Sequence, residues 1–203
     1  MRKPRYGILG GSFDPVHNGH IQLAQYAKDE MKLDKVVFIP AYSSPFKNGT
    51  YVSGDDRYAM IKLVTDEWDG FIVNGMELAK ESKSYTVDTL KKLSGKYDSE
   101  LYFICGSDVF MYMDNWRDFR TIAKLTRVIT IQRQGFEQAG LLAKAEEMYR
   151  RYSLRSSVLS GFNPLEISST DIREKAAVGE DLSGLVPDRV REYILEKELY
   201  RGQ

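Results

Sequence analysis

A chain of 203 residues in which 29 Lys and Arg balance 29 Asp and Glu is long enough for one well-buried α/β domain and short for two. Zero net charge with no basic stripe excludes a general nucleic-acid or membrane-surface binder, so any anion must be bound locally. The single cysteine, Cys105, excludes an intrachain disulfide and suits a reducing cytoplasm. The basic N-terminus lacks an apolar run of signal-peptide length, and no segment approaches a membrane span. The expectation is a cytoplasmic protein.

In chain order, short apolar runs fall at Tyr6 to Leu9, Val36 to Ile39, Phe71 to Val73, Leu101 to Cys105, Val128 to Ile131 and Val158-Leu159. Helical patterns lie between them at about Gly19 to Lys32, Asp55 to Glu67, Val87 to Lys96, Trp116 to Lys124 and Gln138 to Arg151. Strands that each feed a crossover helix predict a doubly wound, Rossmann-like, mainly parallel sheet with helices on both faces. Residues 1–203 are expected to form a single domain, with a small helical part from about residue 168. Ala41 to Gly54 reads as a long polar loop able to close over a ligand. Tyr149 and Tyr152 serve equally well for a homo-oligomer contact and for one face of a packed helix.

Two stretches carry chemistry. Gly10-Gly11-Ser12-Phe13-Asp14-Pro15-Val16 leads from the first strand into His17-Asn18-Gly19-His20. The glycine pair lets backbone approach a ligand, Asp14-Pro15 makes a turn, and the helix that follows presents free N–H groups and its positive end to an anion. The chain's only two histidines stand in this window. A zinc pair is the first alternative, but Cys105 is remote in sequence and no third ligand has usable spacing. Ordinary capping histidines are the second, yet capping does not require the glycine pair, and a phosphate is preferred. Near the C-terminus, Ile167-Ser168-Ser169-Thr170-Asp171-Ile172-Arg173 reads as a hydroxyl-capped helix start with a guanidinium on its first turns. Taken alone it is an ordinary N-cap; beside the histidine motif it is a second anion-holding element.

Together these stretches resemble the two signatures of the nucleotidylyltransferase superfamily. Ser84-Tyr85-Thr86-Val87-Asp88-Thr89-Leu90, and Gly106-Ser107-Asp108 with Trp116 downstream, resemble the bacterial nicotinate mononucleotide adenylyltransferases within it. The likeness runs from Gly10 past Arg173 to Leu185-Val186-Pro187 and a final helix. It implies ATP and nicotinate mononucleotide as substrates and no nucleic-acid or membrane partner. Around ATP it sets Gly10, Gly11, Ser12, Phe13, His20, Gly106, Asp108, Ser169 and Arg173, with Asp108 toward the ribose hydroxyls and Ser169 and Arg173 on the β- and γ-phosphates. Around the mononucleotide it sets Lys47, Ser84, Tyr85, Thr86, Trp116 and Arg133. Thr86 is expected to cap a helix whose backbone takes the nicotinate carboxylate, and Trp116 to stack on the pyridine ring. For Tyr85 and Trp116 core packing is an equal alternative; for Asp108 it is a turn carboxylate, and for Arg133 a surface arginine. The family's usual Pro-His-Lys is here Pro45-Phe46-Lys47, which keeps the lysine and loses a hydrogen-bonding ring.

The implied reaction needs no protein nucleophile. The mononucleotide phosphate attacks the α-phosphorus of ATP in line and expels pyrophosphate, while His17, His20, Lys47 and Arg173 position anions and stabilise charge. Magnesium is expected to travel on the ATP phosphates, with no protein metal site. Nicotinamide mononucleotide is the alternative acceptor. A nucleotide-binding sensor without turnover is the alternative of a different class.

Overall fold

The computed structural model describes residues 2–42, 50–80, 82–162, 165 and 167–202. Six strands, β1 (Arg5–Gly11), β2 (Lys35–Pro40), β3 (Phe71–Val73), β4 (Glu100–Gly106), β5 (Arg127–Ile131) and β6 (Ser156–Leu159), form one sheet in the order β3-β2-β1-β4-β5-β6. The β1·β4, β4·β5 and β5·β6 ladders are parallel, with Arg5 opposite Glu100, Tyr102 opposite Arg127 and Val128 opposite Ser156. The chain winds outward from β1 to β3, then restarts beside β1 at β4. This is the doubly wound Rossmann-like order, in which crossovers of one hand lay helices on both faces.

The α-helices among the described residues are α1 (Asn18–Glu30), α2 (Gly54–Glu67), α3 (Thr86–Lys96), α4 (Ser107–Tyr112), α5 (Phe119–Leu125), α6 (Gln138–Tyr152), α7 (Ser169–Ala177) and α8 (Asp188–Glu196). All six expected strands are present. Two differences concern helices. The short α4 directly after β4 was not expected. The helix expected from Trp116 begins at Phe119, because a 3-10 turn over Met113–Asn115 and a left-handed Asp118 (φ 51°) come first. No helix is long and apolar enough to cross a membrane among the described residues.

Two compact units are distinguishable. One comprises Met1–Leu9, Ala24–Val36 and Tyr85–Asn163; the other comprises Gly10–Leu23, Val37–Ser84 and Pro164–Gln203. In the first, Ile8, Leu33, Ile104, Val128, Ile129 and Ile122 are buried. Gly7 lets these side chains close in, since a Cβ would lie 2.7 Å from Ile104 Cδ1 and 2.8 Å from Leu33 Cδ1 and both would have to shift. Tyr152 is half-buried and packs edge-on against Phe119, whereas Tyr149 is exposed.

In the second unit Phe38, Ile39, Met60, Ile61, Val64, Ile172, Val190 and Ile194 are buried. Each such side chain contributes roughly 1.5–3 kcal/mol when removed from water. Ser53 caps α2 by accepting from Asp56 N at 3.0 Å, and Asp55 and Asp56 complement the positive end of that helix.

Candidate functional site

The second unit brings the glycine–histidine stretch and residues 168–173 together. β1 ends at Gly11, the next residues turn through Asp14 and Pro15, and α1 opens at Asn18 with His17 just ahead of it. Gly10 is exposed, with open space where a Cβ would stand; at Gly11 a Cβ would meet the Phe13 ring at 3.2 Å. Phe13 adopts φ 49° and buries its ring between the edge of His20 and Phe38, so what it can offer a ligand is backbone.

The imidazoles of His17 and His20 stack with centroids 3.7 Å apart. His17 N–H donates to His20 Nδ1 at 3.3 Å, so a neutral His20 carries its proton on Nε2 and is a hydrogen-bond donor there. Gly19 makes room for this pair: a Cβ there would stand 3.1 Å from His17 Nδ1. Asn18 anchors the helix start, its backbone N–H donating to Leu185 O at 2.9 Å and its amide to Gly184 O at 2.8 Å.

α7 meets this turn from the other side of the sequence. Ser168 is its cap, accepting from Asp171 N at 3.1 Å, which leaves Ser169 to donate to Pro15 O at 3.1 Å. Arg173 donates to Asp14 O at 2.8 Å and Thr170 Oγ1 at 3.0 Å, with its guanidinium 4.2 Å over the Tyr51 ring. Ser169 and Arg173 therefore both hold carbonyls of the turn that leads to the histidines.

Beneath them lies a network that the sequence reading did not single out. Asp14, read only as a turn former, is 4% exposed; its Oδ2 accepts from Tyr51 N at 2.7 Å and its Oδ1 from the Tyr200 hydroxyl at 2.9 Å. Arg57, 1% exposed on α2, donates to both Ser12 O and Ala41 O at 2.7 Å, tying the β1 turn to the residue after β2. Burial lowers the Arg57 pKa, opposed chiefly by the Asp14 charge. Burial, then the Asp14 charge, pushes the Tyr200 phenol far up, so it stays a donor. Ser84 is buried and accepts from Tyr42 N at 3.2 Å. Pro45-Phe46-Lys47 lies outside the described residues.

The remaining expected residues belong to the first unit. Gly106 ends β4, Ser107 opens α4, and Arg133 follows β5. The Arg133 guanidinium pairs with Asp108 at 3.2 Å, and a Cβ on Gly106 would stand 2.5 Å from both Arg133 Nε and Asp108 Oδ1. Glycine is thus what lets the pair fold over the end of β4. Ser107, given no role by the sequence, is fully buried and accepts from Arg133 N at 3.0 Å, fixing where Arg133 starts. Tyr85 is half-buried beneath the Arg117 guanidinium at 4.8 Å, and Trp116 meets Phe103 edge-on at 5.5 Å. Thr86 is not the cap expected of it. It is the first residue of α3, and the N-cap is Tyr85, whose side chain makes no capping bond. An aromatic cap leaves the first N–H groups of α3 without side-chain acceptance by the cap. Among the described residues, no group of three or more His, Cys, Asp and Glu is placed to hold a metal ion.

Fold and site together define a doubly wound α/β protein in which a glycine turn enters the α1 start beside His17 and His20, with Ser169 and Arg173 against the same turn. The cytidylyltransferase-like family model matches residues 8–175, and this chain belongs to that family. It is 38% identical over 200 residues to a probable nicotinate-nucleotide adenylyltransferase of Clostridium botulinum, covering 98% of this chain and 99% of that one. A protein of the same description from Desulfitobacterium hafniense is 40% identical over 199 residues, covering 97% and 96%. In structure the chain is similar to Plasmodium falciparum nicotinic acid mononucleotide adenylyltransferase complexed with NaAD, with a TM-score of 0.75 over 97% of each chain. At 19% identity that likeness carries the fold alone.

Proposed function

We propose that this protein is a nicotinate-nucleotide adenylyltransferase, joining AMP from ATP to nicotinate mononucleotide with release of pyrophosphate, a step of NAD biosynthesis. The observation that carries the reading is the convergence of Ser169 and Arg173 on the Asp14-Pro15 carbonyls at the turn into His17 and His20. The full-length likeness to relatives of that description supports it. The whole chain acts as one nucleotidylyltransferase domain.

The chemistry follows from donors and charge. His20, presenting Nε2–H, donates to the α-phosphate and its bridging oxygen as negative charge moves toward the leaving group. His17 supports the phosphates from the same helix start. Arg173 and Ser169 take the β- and γ-phosphates, exchanging part of their present bonds to carbonyls for charged oxygens. Lys47 steadies the mononucleotide phosphate. Gly10, Gly11, Ser12 and Phe13 offer backbone to the triphosphate, and Asp108 beside Gly106 accepts from the ATP ribose hydroxyls. Ser84, Tyr85, Thr86, Trp116 and Arg133 serve the mononucleotide, Trp116 by stacking on the pyridine ring. The Nε2–H of His20, the Ser169 hydroxyl and the Arg173 guanidinium are donors that suit phosphate oxygens. Magnesium carried by ATP would neutralise part of the triphosphate charge.

Pyrophosphate release from ATP and magnesium, with nicotinate mononucleotide, nicotinamide mononucleotide and phosphopantetheine as parallel acceptors, tests the reading. The expected result is strong turnover with the nicotinate acceptor, falling about a hundredfold in His20→Ala. ATP binding without turnover on any acceptor would refute it and favour a nucleotide sensor.

A further inference from the structure

We propose that Tyr200, three residues from the end of the sequence, is a positioning residue that sets Arg173 for the triphosphate by clamping Asp14. The inference rests on the adenylyltransferase reading for the role of Arg173.

Three observations carry it. The first is that Asp14 is a hub. Its Oδ1 accepts from the Tyr200 hydroxyl at 2.9 Å, its Oδ2 from Tyr51 N at 2.7 Å, and its backbone carbonyl from Arg173 at 2.8 Å. The second is that Tyr51, held by the same carboxylate, lies under the Arg173 guanidinium at 4.2 Å. Besides its local partner Thr170 Oγ1, Arg173 is thus held by the Asp14 carbonyl on one side and on the other by a ring whose backbone Asp14 holds. The third is the cost accepted at the tail. After α8 the chain turns back through Glu198 (φ 50°) and Tyr200 (φ 66°), left-handed conformations that side chains disfavour, and the Tyr200 ring ends 1% exposed. An aromatic residue in strained backbone, buried to deliver one hydroxyl to a buried carboxylate, is costly to maintain for packing alone. Without that hydroxyl, Oδ1 of a buried carboxylate loses a donor, and the side chain must turn toward another. The Tyr51 backbone and the Asp14 peptide move with it, and Arg173 loses its fixed placement.

The test is a double-mutant cycle on ATP affinity, measured by calorimetric titration of ATP and magnesium without acceptor. Tyr200→Phe keeps the buried ring and deletes the hydroxyl; a thermal melt checks folding. ATP binding is expected to weaken about tenfold in the wild-type background, as for loss of a hydrogen bond to a charged group, and not at all in an Arg173→Ala background. The same loss in both backgrounds, which a merely structural role produces, overturns the proposal, as does no loss in either. If Tyr200→Phe does not fold, Asp14→Asn approaches the bond from its other end. It keeps an oxygen for Tyr51 N and removes the carboxylate charge, leaving the Tyr200 hydroxyl at most a weaker neutral bond accepted from the amide N–H, so a smaller loss with the same dependence on Arg173 is expected. Pyrophosphate release by the wild type is read separately. ATP binding without turnover would refute the adenylyltransferase reading yet leave the cycle to decide the role of Tyr200, whereas a wild type that binds no ATP refutes both.

Discussion

Gly106→Ala separates stability from function in a way the structure makes quantitative. Gly106 has φ −77° and ψ 165°, extended backbone that any residue adopts, so the substitution carries no conformational strain. The added Cβ would stand 2.5 Å from Arg133 Nε and Asp108 Oδ1 and 2.8 Å from Arg133 Cζ. Those atoms are the far ends of side chains 51% and 50% exposed, free to swing into solvent. Losing their exposed ion pair costs about 0.2–1 kcal/mol. Alanine in place of glycine restrains the unfolded chain by about 0.4–1 kcal/mol, offset in part because alanine is the poorer N-cap for α4. The terms nearly cancel, and the melting temperature should move by no more than about 4 °C. Asp108, displaced from the end of β4, should no longer accept from the ATP ribose. A hydrogen bond to a charged acceptor is worth about 1.5–3 kcal/mol, so KM for ATP should rise at least about tenfold. Thermal melts and pyrophosphate release over an ATP series measure both, and Asp108→Ala should match the KM without adding to it. A melting temperature lowered by more than about 10 °C would mean that the Cβ meets a wall that cannot yield. An unchanged KM would remove Asp108 from the ATP site.

Two further predictions concern titration. Cys105 is buried, and burial pushes its thiol far above the usual cysteine range, so thiol reagents should label the native protein only as fast as it opens. Labelling at neutral pH as fast as a free thiol would refute this. Four carboxylates near the surface are held below their ordinary values, chiefly by side-chain hydrogen bonds: Asp34 by Arg2, Asp118 by Thr121, Glu147 by Arg151 and Asp181 by Ser183. A depressed folded pKa gives stability that is complete above the unfolded value and lost as pH falls through the folded one. The contribution of these groups should therefore be constant from neutral pH down to about 5 and decline below their ordinary values of 3.8 and 4.5. Melting temperature against pH measures this, and Asp34→Asn should reduce the acid slope.

The strands were legible because a parallel sheet covered on both faces needs continuous apolar runs, and β2, with Val36 to Ile39 buried, is such a run. Helices were legible where length gave periodicity room. α4 has six residues, too few to display a period, and follows β4 with no turn between them. Trp116 was taken for a helix start because its pattern continues into α5, but the left-handed Asp118 breaks the helix path between them. Thr86 was taken for a cap on residue type. The chain is already helical at that position, so the side chain is one residue late for the role.

The site was legible in its donors and illegible in what holds them. Glycine turns, paired histidines and a hydroxyl-capped helix are local patterns, and each can be read within about ten residues. The supports act across long separations: Arg57 reaches Ser12 over 45 positions, Arg173 reaches Asp14 over 159, and Tyr200 reaches Asp14 over 186. No periodicity encodes such bonds, and in sequence Arg57 resembles any charged residue on a helix. A signal exists only in retrospect, in an acidic residue directly before Pro15 and a tyrosine near the end of a polar tail. On the proposed reading these supports decide whether the local motifs hold ATP. A guanidinium that must meet phosphates placed by the β1 turn gains from being fastened to that turn, and here Arg173 is fastened to it through Asp14. On this view substitutions at Asp14 and Tyr200, remote from one another in sequence, should weaken ATP binding through one shared effect, whereas His20→Ala should lower turnover with ATP still bound. That division between holding ATP and reacting it is what the paired measurements of affinity and pyrophosphate release resolve.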